Sequence, residues 1–165
     1  MLYRFSKVLR NILPKANEMI SIKDEVNIIK DYIELQKIRY PEGFEVKFFI
    51  DDNVLEYKVP ALILQPIVEN AIFHSMENIS GKGIINIKAF EDLDDVIIEI
   101  LDNGNGMSRV KISNIFEKRE TINRVGLINV HERIQLCFGK EYGIEILSEE
   151  GSGTVVVLKI PKERR

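Results

Sequence analysis

Helical spacing of apolar residues predicts an amphipathic helix early in the chain. Apolar side chains recur at helical spacing from Val26 to Ile33, and "PEG" interrupts the pattern soon afterwards. Ser21 is suited to cap this helix, because Asp24 follows it three residues later. We therefore expect a helix over about residues 22–39.

Period-two alternation predicts strands in the rest of the chain. "FEVKFFI", "IINIKAF" and "DDVIIEI" each alternate as strands, and "YGIEILSEEGSGTVVVLKIP" predicts a hairpin. Helical patterns in "VPALILQPIVENAIFHS" and "VGLINVHERIQLCF" lie between them, and Pro66 is expected to kink or restart the first of these helices. Because the last four strands favour hairpins, we predict an α/β two-layer sandwich, with a mixed, mainly antiparallel sheet and helices on one face.

Composition narrows the class of protein. The chain has 165 residues, 45% of them hydrophobic and 30% charged, which is typical of one globular domain. Its net charge is -3 with scattered Lys and Arg, whereas a nucleic-acid surface requires a basic stripe. It contains one cysteine, no apolar run long enough to cross a bilayer and no signal-peptide pattern. We expect a cytoplasmic domain without nucleic-acid or membrane contact.

The stretch "LDNGNGM" is richer in glycine and asparagine than a plain hairpin requires. In the strand before it, Ile98 and Ile100 alternate with Glu99, so Asp102 is predicted to point with the core. A carboxylate carried inward needs a hydrogen-bonding partner. Two partners fit equally well: the amino group of a small molecule, or backbone N–H groups of the turn that follows Asp102.

"QPIVENAIFHS" carries a second polar cluster. Asn70 and His74, four residues apart, lie away from the apolar stripe that includes Val68 and Ala71. The amide oxygen of Asn70 suits Mg²⁺, which takes few protein ligands and shares the phosphates of its substrate. The alternative is that these residues form a solvated helix face.

Two further motifs contain glycine. Gly126 precedes a predicted helix, whose free N–H groups suit a phosphate, whereas Gly151 and Gly153 alone predict a hairpin turn. The sequence contains neither a "GxxxxGK[ST]" loop nor a three-glycine dinucleotide fingerprint. These two common nucleotide folds are therefore excluded.

The order of the motifs resembles the ATP-binding domain of the GHKL superfamily, and in detail the LytS/YehU-type sensor histidine kinases. "VPALILQPIVENAIFHS" is similar to the N box of that family, "DNGNGM" to its first glycine box, "VGLINVHERI" to its second, and "GSGTVVVLKIP" to its last glycine turn. The resemblance covers nearly the whole chain. It implies the tail of a dimerisation helix and a linker helix in residues 1–40, and the ATP-binding catalytic domain in residues 41–165.

The resemblance also implies roles for individual residues. Asn70 would hold Mg²⁺ against the phosphates of ATP, Asp102 would accept a hydrogen bond from the adenine amino group, and residues 107–123 would form a lid. Asn70 is the one implied metal ligand. The implied nucleotide-binding residues are Glu69, Asn70, His74, Asp102, Gly104, Gly106, Met107, Arg124, Gly126, Leu127, Gly153 and Thr154.

The implied activity is transfer of the γ-phosphoryl group of ATP to a histidine on an upstream helix. The histidines present, His74 and His131, are not suitable acceptors, so we expect a fragment that does not autophosphorylate without that helix. The implied cofactors are ATP and Mg²⁺. The implied partners are histidine-bearing dimerisation helices, a response regulator and, in the full-length protein, a second copy of the chain. The whole would be the cytoplasmic part of a membrane-anchored sensor.

Two residues depart from the family's pattern. Phe73 stands where Lys is common, and Arg124 stands where Gly is common, although Arg124 itself would supply a positive charge. If position 124 required a left-handed backbone, Arg would cost about 1–2 kcal/mol there. These departures favour an alternative, a degenerate module of the same fold that binds nucleotide or a partner protein without kinase activity. A GHKL ATPase or an anti-sigma serine kinase fits less well, because Pro66 occupies the position of the general-base glutamate in hydrolysing members.

Overall fold

The structure is a computed structural model that describes residues 18–77, 81–117 and 122–162, with the backbone alone for 116, 117 and 122–125. None of the helices in these ranges is both long and apolar enough to span a membrane. The elements, in chain order, are β1 (Met19–Ser21), α1 (Ile22–Arg39), β2 (Phe44–Ile50), a 3₁₀ turn (Asp52–Val54), β3 (Lys58–Pro60), α2 (Gln65–Met76), β4 (Gly83–Asp92), β5 (Asp95–Asp102), α3 (Arg109–Glu117), α4 (Ile122–Phe138), β6 (Gly143–Ser148) and β7 (Thr154–Pro161).

The main sheet has five strands in the order β2-β4-β5-β7-β6. β2 and β4 run parallel, and the other neighbouring strands run antiparallel. Helices α2 and α4 pack against one face of this sheet, where α2 contacts β4 and β5 and α4 contacts β6 and β7. The predicted two-layer sandwich, with a mixed and mainly antiparallel sheet, is therefore confirmed.

Alternation along β5 determines which face of the sheet belongs to the core. Ile98 and Ile100 are each 1% exposed beneath the helices. On the opposite face Lys88 of β4 pairs with Glu99 of β5, and their charged groups lie 3.6 Å apart. Since Asp102 follows Ile100 by two residues, the same alternation directs it to the helix-covered side, as predicted.

Helix α1 has the predicted bounds and the predicted cap. Ser21 Oγ accepts a hydrogen bond from the Asp24 N–H at 3.1 Å and donates one to the Asp24 carboxylate at 2.6 Å. An N-cap of this kind stabilises a helix by about 1 kcal/mol. The apolar side of α1 buries Ile29 and Ile33 in the core.

Helix α2 begins later than the apolar pattern of "VPALILQPIVENAIFHS" suggests. The residues before it form β3, which pairs with β1 in a small antiparallel sheet, and an irregular segment over residues 61–64. Pro66 lies in the first turn of α2, where the missing N–H would have no helical partner in any case. Of the two predicted effects of Pro66, restarting the helix is the one observed.

The polar stretch expected to form a lid contains a helix. α3 occupies Arg109–Glu117, and Ile115 on its inner side is 4% exposed. Residues 118–121 of the expected lid lie outside the described residues, and its last two residues, 122 and 123, belong to α4. α3 is therefore anchored to the core by an apolar side chain.

Candidate functional site

A cavity of about 390 Å³ is bounded by α2, α3, α4 and the adjoining ends of β5 and β7. This volume is within the range of small-molecule sites. Apolar side chains from α2, α3, β5 and β7 form much of its wall: Ile67, Ala71, Ile100, Ile115 and Val156. Seven of the residues predicted to bind nucleotide also line it: Asn70, His74, Asp102, Gly106, Met107, Leu127 and Thr154.

Asp102 lies at the end of β5 and lines the cavity. Its Oδ1 accepts a hydrogen bond from the Gly104 N–H at 2.8 Å, so the turn contact considered from the sequence is present. Burial raises the pKa of Asp102, while the Gly104 and Thr154 N–H groups and the His74 side chain act in the opposite direction. The hydrogen bond within the turn therefore holds the carboxyl group in place, and the group still lines a partly desolvated cavity.

Helix α2 presents its polar side to the same cavity. Val68, Ala71 and Ser75 are at most 4% exposed on its core side, as predicted from their spacing. Asn70 and His74 lie on the cavity wall. The side chains predicted to be free of the apolar stripe therefore line a cavity, although the His74 side chain is still 42% exposed.

Close packing explains the glycines that follow β5. Gly106 has φ 66°, in the left-handed region, and a Cβ there would clash with the Glu149 carbonyl oxygen. A Cβ at Gly104 would lie 2.5 Å from the His74 carbonyl oxygen, and one at Gly153 would clash with the Asp102 carbonyl oxygen. The turn after β5 is thus held between the end of α2 and the β6–β7 hairpin, because only glycine fits these contacts.

Some predicted residues lie off the cavity wall. Glu69 is exposed, and its Oε1 accepts a hydrogen bond from Gln65 Nε2 at 2.8 Å. Gly104 and Gly153 pack behind Asp102 and are not part of the lining. For Glu69, Gly104 and Gly153, a direct contact with nucleotide stays a prediction.

The prediction that Gly126 precedes its helix is wrong, since α4 begins at Ile122. An N–H inside a helix donates to the carbonyl four residues earlier. The N–H of Gly126 is therefore not free to bind a phosphate. A Cβ at Gly126 would lie 3.3 Å from Pro66 Cβ, so the residue brings α4 close to α2. Arg124 also has a helical backbone, so the free-energy cost of a left-handed conformation considered above does not arise. The side chain of Arg124 lies outside the described part of the structure.

Three polar residues on the cavity wall are not among the predicted site residues: Glu77, Asn105 and Lys111. Asn105 Nδ2 donates a hydrogen bond to the Glu77 carbonyl oxygen at 3.4 Å, which joins the turn after β5 to the end of α2. Lys111 lies one helical turn before Ile115 on α3, and both line the cavity. That four-residue spacing is the available signal in the sequence, although it spans little more than one turn of a nine-residue helix.

A more open groove of about 600 Å³ lies beside the cavity, on the other side of α3. Arg109, Ile112, Leu147 and Gly153 are among its lining residues, and it shares Asp102 and Thr154 with the cavity. The cavity is the better candidate site, since it is more enclosed and places a carboxyl and an amide side chain from different elements on one wall.

Comparisons with known proteins agree with this arrangement. Residues 58–164 match the family described as histidine kinase-, DNA gyrase B-, and HSP90-like ATPase, and residues 1–44 match the family described as histidine kinase. The chain is 35% identical over 165 residues to the sensor histidine kinase YpdA of Escherichia coli (strain K12), covering 99% of this chain and 28% of that protein. It is 37% identical over 155 residues to the sensor histidine kinase YesM of Bacillus subtilis (strain 168), covering 93% of this chain and 26% of that protein.

The chain is also 30% identical over 167 residues to the sensor protein LytS of Bacillus anthracis, covering 99% of this chain and 28% of that protein. It therefore spans about a quarter of the length of the curated relatives it matches. Among solved structures, the nucleotide-free catalytic domain of the histidine kinase ThkA has a TM-score of 0.69 at 20% identity, covering 88% of this chain and 98% of that chain. At this identity the likeness shows the fold.

Proposed function

Because this chain belongs to the family of histidine kinase-, DNA gyrase B- and HSP90-like ATPases, we propose that it is the ATP-binding catalytic domain of a sensor histidine kinase. The observation that carries the proposal is that Asn70 of α2 and Asp102 of β5 line one cavity of about 390 Å³. In the proposed reaction the γ-phosphoryl group of ATP is transferred to a histidine on an upstream helix.

Asp102 is the proposed determinant of adenine binding. Its carboxylate would accept a hydrogen bond from the exocyclic amino group of adenine, while the oxygen that guanine carries at this position would meet the carboxylate unfavourably. Ile100 and Val156 provide apolar wall beside it, suited to the faces of a purine ring. We therefore expect the site to prefer ATP to GTP.

Asn70 is the proposed ligand of magnesium. Its amide oxygen is a donor type that suits this hard cation, and Mg²⁺ usually completes its coordination with water and substrate phosphates. Bound Mg²⁺ would neutralise charge on the phosphates. Transfer of a phosphoryl group depends mainly on positioning and on charge stabilisation, so a cavity with one amide ligand is chemically sufficient on the protein side.

Lys111 is proposed to supply the phosphate-facing positive charge that the family commonly places at position 73. Phe73 is 49% exposed, and its ring packs edge-on against the His74 ring at a centroid distance of 5.5 Å. Lys111 lies on the cavity wall, carried by α3. An ammonium group there would interact with phosphate oxygens as a mobile point charge.

The activity requires partners beyond this chain. We propose that these are histidine-bearing dimerisation helices, a response regulator and a second copy of the chain, and that the domain acts in the cytoplasm, where ATP is available. The division into a linker part over residues 1–40 and a catalytic part over residues 41–165 belongs to the same proposal. The alternative of a degenerate, non-catalytic module is favoured by the exposed aromatic ring of Phe73.

Titration of Mg-ATP and Mg-GTP into the purified chain tests the binding function. Saturable binding of Mg-ATP and weaker binding of Mg-GTP are expected. Asp102→Asn is expected to lose about 1.5–3 kcal/mol, because the ionised acceptor is lost and, with Oδ1 held by the Gly104 N–H, an NH₂ donor faces the adenine amino group. Asp95→Asn is the matched control, since Asp95 lies at the other end of β5 and pairs with Lys159 at 2.8 Å. Equal affinities of wild type and Asp102→Asn would contradict the assigned role of Asp102.

A longer chain that includes the upstream helices tests the kinase activity. Incubation with labelled ATP is expected to produce acid-labile phosphohistidine on those helices. If the longer chain binds Mg-ATP but no histidine becomes labelled, the kinase proposal fails and the non-catalytic nucleotide-binding module is supported.

A further inference from the structure

Glu25 of α1 is a fully buried carboxylate away from the cavity, with 0% of its surface exposed. It accepts hydrogen bonds from the backbone N–H groups of Leu62 and Leu64, the latter at 3.0 Å. Burial raises its pKa, whereas these N–H groups and the charge of Arg133 act in the opposite direction. A buried carboxyl group is costly unless it is hydrogen-bonded. Moving Glu25 away from these N–H groups would therefore cost free energy.

The backbone in question is the segment over residues 61–64, between β3 and α2. Arg133 of α4 donates a hydrogen bond from Nη2 to the Ala61 carbonyl oxygen at 2.8 Å. Leu62 has φ 63°, a left-handed conformation that is unfavourable for leucine. The surrounding contacts must impose this conformation, and those of Glu25 and Arg133 reach the segment from two different helices.

The 61–64 segment leads directly into the nucleotide site. The Leu64 carbonyl oxygen accepts hydrogen bonds from the Ile67 and Val68 N–H groups at 3.1 and 3.0 Å, which starts α2. α2 then carries Asn70 to the cavity, and α4, which carries Arg133, brings Leu127 to it. The segment therefore fixes the positions of two helical walls, whereas Asp102 belongs to the sheet.

The contact of Glu25 also joins two parts of the chain that match different families. Glu25 lies within the residues that match the histidine kinase family, 1–44, and its two donors lie within the ATPase match, 58–164. We propose that Glu25 is a positioning residue of the nucleotide site, which couples the placement of α1 to the placement of Asn70 and Leu127. The proposal rests on the nucleotide-binding function proposed above. A displacement of α1 then changes the magnesium and phosphate end of the site and leaves the adenine contact at Asp102 in place.

Glu25→Gln tests this coupling, because glutamine keeps the shape of the side chain but turns one acceptor into an N–H donor facing the 61–64 segment. Binding of Mg-ATP and of adenosine is measured by isothermal titration calorimetry. The affinity for Mg-ATP is expected to fall about tenfold. The affinity for adenosine is expected to stay at the wild-type value, since Asp102 is held by β5. Equal losses for both ligands, or no loss for either, would overturn the proposal.

Two control variants of α1 separate positioning from stability and charge. Glu34→Gln removes the same charge from a side chain that is 75% exposed, and Ile33→Val trims a core residue that is 3% exposed. Neither residue makes a hydrogen bond to the 61–64 segment. Both controls are expected to bind Mg-ATP as the wild type does. If Ile33→Val loses as much affinity as Glu25→Gln, the effect is one of general stability and the coupling is refuted.

Arg133→Lys provides a second route if Glu25→Gln does not fold. This substitution weakens the hydrogen bond from α4 to the Ala61 carbonyl oxygen. The same selective loss of Mg-ATP affinity is expected. Should the wild-type chain bind no nucleotide, the proposed function fails, and hydrogen exchange still tests the positioning. Amide groups of α2 must then exchange faster in Glu25→Gln or Arg133→Lys than in Ile33→Val at equal stability, and equal exchange would overturn the proposal.

Discussion

Replacing Gly106 by alanine tests whether the turn after β5 is shaped by its close approach to the β6–β7 hairpin. Gly106 has φ 66°, and a left-handed backbone costs an L-residue about 1–2 kcal/mol. The new Cβ would also clash with the Glu149 carbonyl oxygen, a backbone atom rather than the end of a flexible side chain. Overpacking of this kind adds about 1–3 kcal/mol. The free energy of unfolding is therefore expected to fall by about 2–5 kcal/mol.

Gly151 provides a matched control within the same hairpin. It has φ 82°, and a Cβ there would meet nothing within 4 Å. Gly151→Ala therefore carries the backbone cost of about 1–2 kcal/mol without the steric cost. The difference between the two variants isolates the contact with Glu149.

Urea denaturation of both variants and of the wild type gives the three free energies of unfolding. Gly106→Ala is also expected to weaken Mg-ATP binding, because Gly106 and Met107 lie on the cavity wall, whereas Gly151→Ala is not. Equal destabilisation by the two substitutions would refute the reasoning, since it would mean that the approach to Glu149 imposes no constraint.

The remaining predictions concern three side chains. Burial raises the pKa of Asp102 above its ordinary value of 3.8, so protonation of the free site is expected to weaken Mg-ATP binding in calorimetry as pH falls through that raised pKa. The corresponding contribution of Asp102 to the stability of the free chain has the opposite sign: it is fully present below pH 3.8 and is lost as pH rises through the folded-state pKa. Lys111→Ala is expected to weaken Mg-ATP binding roughly fivefold and to leave adenosine binding unchanged. The control Lys140→Ala, at an exposed position, is expected to change neither affinity. Equal affinities of wild type and Lys111→Ala for Mg-ATP would show that Lys111 is not part of the site. Ser21→Ala is expected to lower the free energy of unfolding by about 1 kcal/mol in urea, and an unchanged value would contradict the capping role.

The sequence predicted those features that follow from burial on one side of an element. α1 and the long strands bury one face and expose the other, so their side-chain periods identify them. β1 and β3 were missed because three residues are too few to display a period. α4 was started too late because Gly126 resembles a break, although its contact with Pro66 makes it a packing residue inside the helix.

Within the site, the sequence predicted the wall residues that belong to recognisable motifs, such as Asn70 and Asp102. Lys111 was missed because residues 107–123 were interpreted as a polar lid, and only nine of them, Arg109–Glu117, form α3. No role was predicted for Glu25, since an acidic residue buried by a distant loop looks the same in sequence as one in water. Its role depends on contacts 37 and 39 residues away along the chain, which no local pattern encodes.

The strand order has a consequence for the synthesis of the protein. β7 comes last among the described strands, yet it lies inside the sheet, between β5 and β6. Until β7 has left the ribosome, β6 has no partner in the sheet, and the pocket lacks Thr154 and Val156. A nascent chain therefore exposes the apolar side of an unfinished sheet, and nucleotide can stabilise the fold only after translation of this strand.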